Sequence, residues 1–453
     1  MPGHSRVKHQ VRTARGLSRL AAAAALLLAA ACTSSNATSQ GPTIDFWYLP
    51  NGIHPEQYMQ DAVKAFNVGH PNIRINATKL SRADAYSKLG AALPGGAGPD
   101  VAQVDTTWVG ALAKAGGLHE FTPDEVRAIG VAGAFAPAIW ESSGKYKTSQ
   151  TTAIPWFVDT RAVFYRTDVL KSLGIEPANA FGSWEDFDHT LDAIQRSGKI
   201  AALGVAGKNA TNPAADFAPW VWEAGGSLLS EDGATPEVSE ARSVNGFDEY
   251  QRLGGKYVPP AVLQKNSADV EAMFAAGKFA VTISGPSLAQ QLQQPKTQGG
   301  FGDDVAARSG FATTPLPGGP AGRLAYVGGS NLVILKSTRH EDAAYAWVQF
   351  LAGVEGQTNY VSRIGMYPAL LSAAGASVFA GNKYLAAFKV QVNTGRPFPT
   401  VAAWPLIEKI LAADLGTVWD TVIADHQPMA KDALQTVLEK AATDMQAAIN
   451  QAA

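Results

Sequence analysis

Two hydrophobic periods alternate along the chain. Over "TIDFWYL" (residues 43–49), Ile44, Phe46 and Tyr48 occupy every second position among β-forming residues, which predicts a strand. Pro55 then opens a stretch where Tyr58, Ala62 and Phe66 recur every fourth residue, the period of a helix face. "NIRINA" (72–77) returns to alternation at Ile73, Ile75 and Ala77, and Tyr86, Leu89 and Leu93 outline the next helix. "PDVAQVD" (99–105) predicts a short strand, followed by a helix from about Trp108 that stops at Gly116-Gly117. Strands and helices taking turns in this way define an α/β architecture with a mostly parallel sheet.

The pattern resumes after "AIPWFVDTRAVFYR" (153–166). "SWEDFDHTLDAIQRSG" predicts a helix: Ser183 and Asp186 fit a capping box, Phe187, Leu191 and Ile194 form the apolar face, and Gly198 stops it. "GKFAVTIS" (277–284) alternates at Phe279, Val281 and Ile283. "SNLVILKS" predicts another strand, and Ala344, Trp347 and Leu351 the helix after it. From Pro428 the tail is helical, with Leu434, Leu438 and Met445 among its apolar positions. No repeat of solenoid period interrupts this order.

The N-terminus differs in kind. Arg6, Lys8, Arg12, Arg15 and Arg19 precede an unbroken Ala/Leu run, Leu20 to Ala31, which ends at Cys32, the single cysteine of 453 residues. The run is too short to span a membrane, and a basic segment, a short apolar run and small residues together read as a secretory signal over 1–31. Ala29, Ala30 and Ala31 before Cys32 resemble a lipobox, with Ala29 where leucine is usual. Cys32 is therefore expected to carry lipid rather than a disulfide or metal, and residues 32–41 to form a flexible tether. Loss of 1–31 takes the formal net charge from −2 to −7, which argues against nucleic-acid binding.

Catalytic signatures are absent: the chain has no G-x-S-x-G, H-E-x-x-H or C-x-x-C. None of its eight His sits at a metal-pair spacing, so neither zinc nor another cofactor is expected. What recurs is tryptophan beside turn signals and polar residues. Trp108 follows Asp105, Trp156 precedes Asp159, Trp220 and Trp222 precede Gly225-Gly226, and Trp404 follows Arg396. Aromatic faces stack on the apolar faces of sugars, while carboxylates, amides and guanidinium groups fix hydroxyls. Each of these tryptophans also has a plain alternative as core packing.

Several segments in fixed order carry a resemblance. They are "LGAALPGGAGPDVAQVDTTWVGALAKAGGLHEFT", "IPWFVDTRAVFYRTDVLKSLGIEPANAFGSWEDF", "APWVWEAGGSLLSEDG", "FAAGKFAVTISGPS", "ATTPLPGGPAGRLAYVGGSNLVILKSTRHEDAAYAWVQFL" and "RIGMYPAL". Over residues 42 to 453 the chain resembles the extracellular solute-binding proteins of ATP-driven carbohydrate importers, the large maltose-binding type. The resemblance implies a two-lobe periplasmic-binding-protein-like α/β fold with hinge-connected lobes around a ligand cleft. Lobe 1 is expected over 42–154 plus 320–354 and lobe 2 over 155–319 plus 355–453. It implies a carbohydrate ligand, no catalysis, permease subunits and an ATPase as partners, and a monomer held outside the membrane by its lipid. Carried over by position, the ligand-binding candidates are Asp159 just past the crossover, Asp105 and Trp108 after a first-lobe strand, and Trp404 as a stacking aromatic. Arg396 in "TGRPFP", Asn51 in the loop after the first strand, and Gly329 and Asn331 at a glycine turn complete them. Of Trp220 and Trp222, one is expected to face the cleft and the other the core. Ser287 stands where relatives often carry tryptophan. Two Asp and one Arg among the candidates point to a neutral polyol, with a glycerophosphodiester ligand or a glycoside hydrolase as alternatives.

Overall fold

The computed structural model describes residues 41–453; the proposed signal peptide and Cys32 lie outside the described residues. Residues 42–453 hold two sheets, built from β1 Thr43–Tyr48, β2 Arg74–Lys79, β3 Val101–Asp105, β4 Ile154–Thr160, β5 Ala162–Arg166, β6 Ala201–Gly204, β7 Phe279–Ser284, β8 Phe311–Thr314, β9 Ala325–Ile334, β10 Tyr367–Pro368 and β11 Gly395–Arg396. The larger sheet runs β10-β4-β9-β3-β1-β2, with β11 added beside β9. The smaller runs β6-β7-β5-β8. β1 pairs in parallel with both β2 and β3, as the strand–helix alternation requires, and β6 with β7. β9 is antiparallel to both β3 and β4.

Local sequence accounts for most elements. Helix Pro55–Gly69 begins on proline, whose missing N–H is not needed there, and buries Tyr58, Met59, Ala62 and Phe66 on one face. Helix Trp184–Arg196 has the expected capping box, with Ser183 and Asp186 exchanging bonds, and buries Phe187, Leu191 and Ile194. Helices Pro213–Glu223, Ala241–Tyr257 and Trp404–Asp425 had no clear sequence period. In the first, every residue from Ala214 to Glu223 is buried, and a helix covered on all sides shows no polar face to read.

The core under the larger sheet is aromatic. Trp156 and Trp347 are fully buried around Phe46, at ring distances of 6.2 and 5.7 Å, and Trp156 stacks on Tyr360 at 4.8 Å. Tyr360 lies in the turn of helix Gln357–Val361, and β10 just beyond pairs with β4, so this part of the chain rests on the larger sheet.

The chain passes between the sheets at Arg161, between β4 and β5, and again between β8 and β9. The first passage is short because only one residue separates the strands. Gln391, buried in helix Ala386–Thr394, donates its side-chain amide to the Arg161 carbonyl at 3.0 Å and fixes the backbone there. Glu223, buried on helix Pro213–Glu223, fixes the second: it accepts from the Leu324 N–H at 3.0 Å and the Trp184 indole N–H at 2.8 Å. Burial pushes the Glu223 carboxyl up to about 8, against the pull of these donors. Trp156→Ala removes a fully buried indole and is expected to cost about 3–5 kcal/mol in urea unfolding. Val68→Ala, at an 86% exposed position, should stay within about 0.5 kcal/mol.

Candidate functional site

The parallel strands aim their carboxyl ends at one region, the usual place for a ligand in an open α/β sheet. β3 ends on Asp105, after which the chain turns into the short helix Thr106–Trp108. β4 brings Asp159 to the same end, one strand beyond β9. From the smaller sheet come Ser284 and Gly285 at the end of β7, and Asp216 in the first turn of helix Pro213–Glu223. Glu271 on helix Ser267–Ala275 and Glu408 in the first turns of helix Trp404–Asp425 complete the group.

Arg161 organises these charges. Its Nη1 donates to Asp159 at 2.9 Å and its Nε to Asp216 at 2.7 Å. Its side chain is 11% exposed, so these bonds form largely out of water. Burial alone would lower the guanidinium's pKa, but the two carboxylates more than offset it and the group stays charged. Asp159 also lies against Gly285, where an added Cβ would stand 2.8 Å from its Oδ1. Asp105 meets Arg82 at 3.3 Å through both oxygens; burial pushes its carboxyl up, Arg82 draws it back, and Asp159 adds to the rise. Glu271 binds the Ser284 hydroxyl, and burial raises its pKa. Glu408 is pushed up to about 7, first by burial and then by Asp105, while Thr107 and Asn212 draw it down.

Tyr326 of β9 enters the same region. It is 3% exposed, yet its hydroxyl makes no hydrogen bond among the described residues. Burial raises its pKa well above the usual value, and Asp159, Glu408 and Asp105 add to the rise. Gly328 makes room for it: a Cβ there would lie 1.7 Å from the Tyr326 oxygen.

The ten candidates from sequence separate into three groups. Asp105 and Asp159 stand in the carboxylate cleft. Trp222 and Arg396 line a cavity of about 880 Å³, together with Trp140, Glu141, Tyr146 and Phe398. There the Arg396 guanidinium lies 5.1 Å over the Trp222 ring. None of the five cleft carboxylates lines this cavity. Phe398 intervenes, tilted against Tyr326 at 4.7 Å and stacked on Trp404 at 4.6 Å. Of the remaining six, five are built into the interior and Gly329 is half-buried on β9. Trp404, expected to stack on a ligand, is fully buried against Phe398, and Trp220 packs between Trp184 and Tyr250. Trp108 packs on Tyr86 at 5.5 Å. Asn51 donates to Gln103 at 2.9 Å and to the Tyr360 hydroxyl at 3.2 Å. Asn331 donates to Ser142, through its carbonyl at 2.9 Å and its hydroxyl at 3.0 Å. Gly329, at φ +133°, lets the Phe157 carbonyl come where a Cβ would meet it at 2.2 Å, beside the register shift in β4. The close approach there is to the neighbouring strand.

Arg161, Asp216, Glu271, Tyr326 and Glu408 were not singled out from sequence. A signal existed for two of them. Asp216 is the one charge between Pro213 and Trp222, and Arg161 separates two apolar runs; a charge enclosed by apolar residues asks for a buried partner.

The matching family model describes the bacterial extracellular solute-binding proteins and covers residues 51–358. The chain belongs to that family, whose members work outside the cytoplasm. It is 22% identical to a putative binding protein of Brucella abortus, over 80% of this chain and 84% of the relative. It is also 22% identical to the maltodextrin-binding protein of Bacillus subtilis, over 94% of this chain and 97% of that one. Among solved structures, the sugar-binding protein MalE of Xanthomonas citri superposes with a TM-score of 0.74 at 23% identity, over 90% of this chain and 98% of that one. The fold is thus the two-lobe periplasmic-binding-protein type, as the sequence implied. No helix of the described residues is long and apolar enough to cross a membrane.

Removing the Arg161 guanidinium leaves two carboxylates without their shared partner. Arg161→Met is expected to destabilise the protein by about 3–5 kcal/mol in denaturant unfolding. Glu408 sets a pH trend of definite sign. Its folded pKa of about 7 exceeds the ordinary 4.5, so the folded state holds this proton where the unfolded chain has lost it. Its contribution is full below the ordinary value and declines as pH rises to about 7. Melting curves across that window should therefore be flatter for Glu408→Gln than for the parent.

Proposed function

We propose that this protein is the substrate-binding component of an ATP-driven carbohydrate importer, capturing a sugar or related polyol in the carboxylate cleft and delivering it by hinge closure. The carrying observation is the meeting of Asp159, on β4 of the larger sheet, with Asp216 and Glu271, from elements packed on the smaller one, around Arg161, with Asp105 facing Asp159 from β3. A ligand touching both sides stabilises the closed state through its differential contacts. The names of the relatives, a maltodextrin-binding and a sugar-binding protein, support the ligand class. Five carboxylates disfavour a glycerophosphodiester, whose phosphate they would repel.

The proposed lobes are 42–154 plus 320–354 and 155–319 plus 355–453, with 357–368 seated on the first. Asp105, Asp159, Arg161, Tyr326 and Glu408 form the proposed ligand site, and Asn51 supports it through Gln103. Cys32 carries the lipid that holds the protein at the outer face of the membrane, where permease subunits and their ATPase receive the ligand. The protein acts as a monomer and makes or breaks no bond in its ligand.

The melting temperature of the purified protein should rise in the presence of its sugar, since a ligand at 100 times its Kd stabilises a fold by about 2.7 kcal/mol. Asp159→Ala should abolish that rise. A rise with a glycerophosphodiester and none with mono- or disaccharides would sink the carbohydrate reading.

A further inference from the structure

The cleft holds five carboxyl groups against two guanidinium groups. Asp159 and Asp216 share Arg161, and Asp105 has Arg82. Glu271 and Glu408 have no ion pair with Lys, Arg or His among the described residues. Glu271 has the Ser284 hydroxyl, and faces Arg161, Asp159 and Asp216. Glu408 has Thr107 and Asn212, and faces Asp105. Asn212 already uses its carbonyl oxygen to cap helix Pro213–Glu223 by accepting from Ala215, so its amide is left to serve Glu408. A neutral polyol entering this region would bring hydroxyl dipoles and no charge.

A second observation marks the same place. Tyr326 is nine-tenths buried or more, its hydroxyl is unpartnered, and the room it occupies exists only because residue 328 lacks a side chain. The ring is enclosed while the hydroxyl keeps some exposure, so an entering ligand can supply its partner. Tyr326 thus offers a donor and acceptor beside Asp105, Asp159 and Glu408.

We propose that the ligand is a sugar bearing a primary ammonium group, with the cation placed among Asp105, Asp159 and Glu408 and a neighbouring ring hydroxyl on Tyr326. This rests on the carbohydrate-receptor reading above and narrows it. An ammonium group has three donors and no acceptor, which suits a wall of carboxylates. An Arg or Lys in place of any one of them would neutralise the cleft and remove the preference. Ligand capture here needs no covalent step.

Calorimetric titration at pH 7 tests this with pairs that share a sugar and differ in whether its amine is free or acetylated: glucosamine against N-acetylglucosamine, galactosamine against N-acetylgalactosamine, and deacetylated against diacetylated chitobiose. Spermidine serves as a cation that is not a sugar. The expected result is at least one pair in which the free amine binds about tenfold more tightly than the acetylated form, with the preference shrinking as salt is added. Glu408→Gln should reduce that preference while retaining a cooperative melt. Tyr326→Phe should weaken both members of the pair alike. Equal or tighter binding of the acetylated members overturns the proposal and leaves the carbohydrate reading intact. Binding of spermidine with none of the sugars overturns both the proposal and the carbohydrate reading. No binding by any of the amines overturns the proposal outright.

Discussion

The fold turns on one guanidinium. Arg161 stands alone between β4 and β5, where the chain leaves the larger sheet for the smaller, and its side chain reaches a carboxylate on each side of that step. A charge this buried is tolerated only when its partners are in place, so Asp159 and Asp216 are fixed as firmly as Arg161 is. The Gln391 amide on the Arg161 carbonyl adds a backbone restraint at the same residue. The side chains at the passage between the sheets are therefore held by their partners, and its carboxylates are oriented before any ligand arrives. Preorganised acceptors lose little freedom on binding, which is the main route to affinity for a ligand made of weak hydroxyl contacts.

A second constraint comes from the aromatic residues beside the junction. Tyr326, Phe398 and Trp404 are in contact, and Trp222 continues the row at 5.8 Å from Phe398. The row divides the carboxylate cleft from the cavity under Arg396. The cavity is lined by aromatic rings with a guanidinium over one of them, and the five carboxylates lie outside its lining.

The elements were legible where burial is one-sided. β1 and helix Trp184–Arg196 show clean periods because one face meets the core and the other water. Helix Pro213–Glu223 is enclosed on all sides and left no period to find. In the cleft, Asp105 and Asp159 could be placed because the resemblance supplied their positions, one after a first-lobe strand and one at the crossover. The tryptophans misled for a physical reason: an indole is large enough to anchor a core or to face a sugar, and sequence spacing does not distinguish the two. Trp220 and Trp404 went to the core. Glu408 and Tyr326 escaped because they reach the cleft from distant parts of the chain, through contacts that only the assembled sheets define.

The position of β9 has a consequence for when the sheet forms. This strand lies between β3 and β4, pairing Asp105 with Ser330 and Asp159 with Gly328. The first half of the chain can make β1, β2 and β3 with their helices, yet β3 and β4 stay unjoined until residues 325–334 arrive. Closing so long a loop is slow, and the folding rate of such a topology is set by these distant pairings. For a protein that works outside the cytoplasm, a chain whose central strand comes late remains open and unlocked during synthesis, and sets its final shape only once the whole molecule is present.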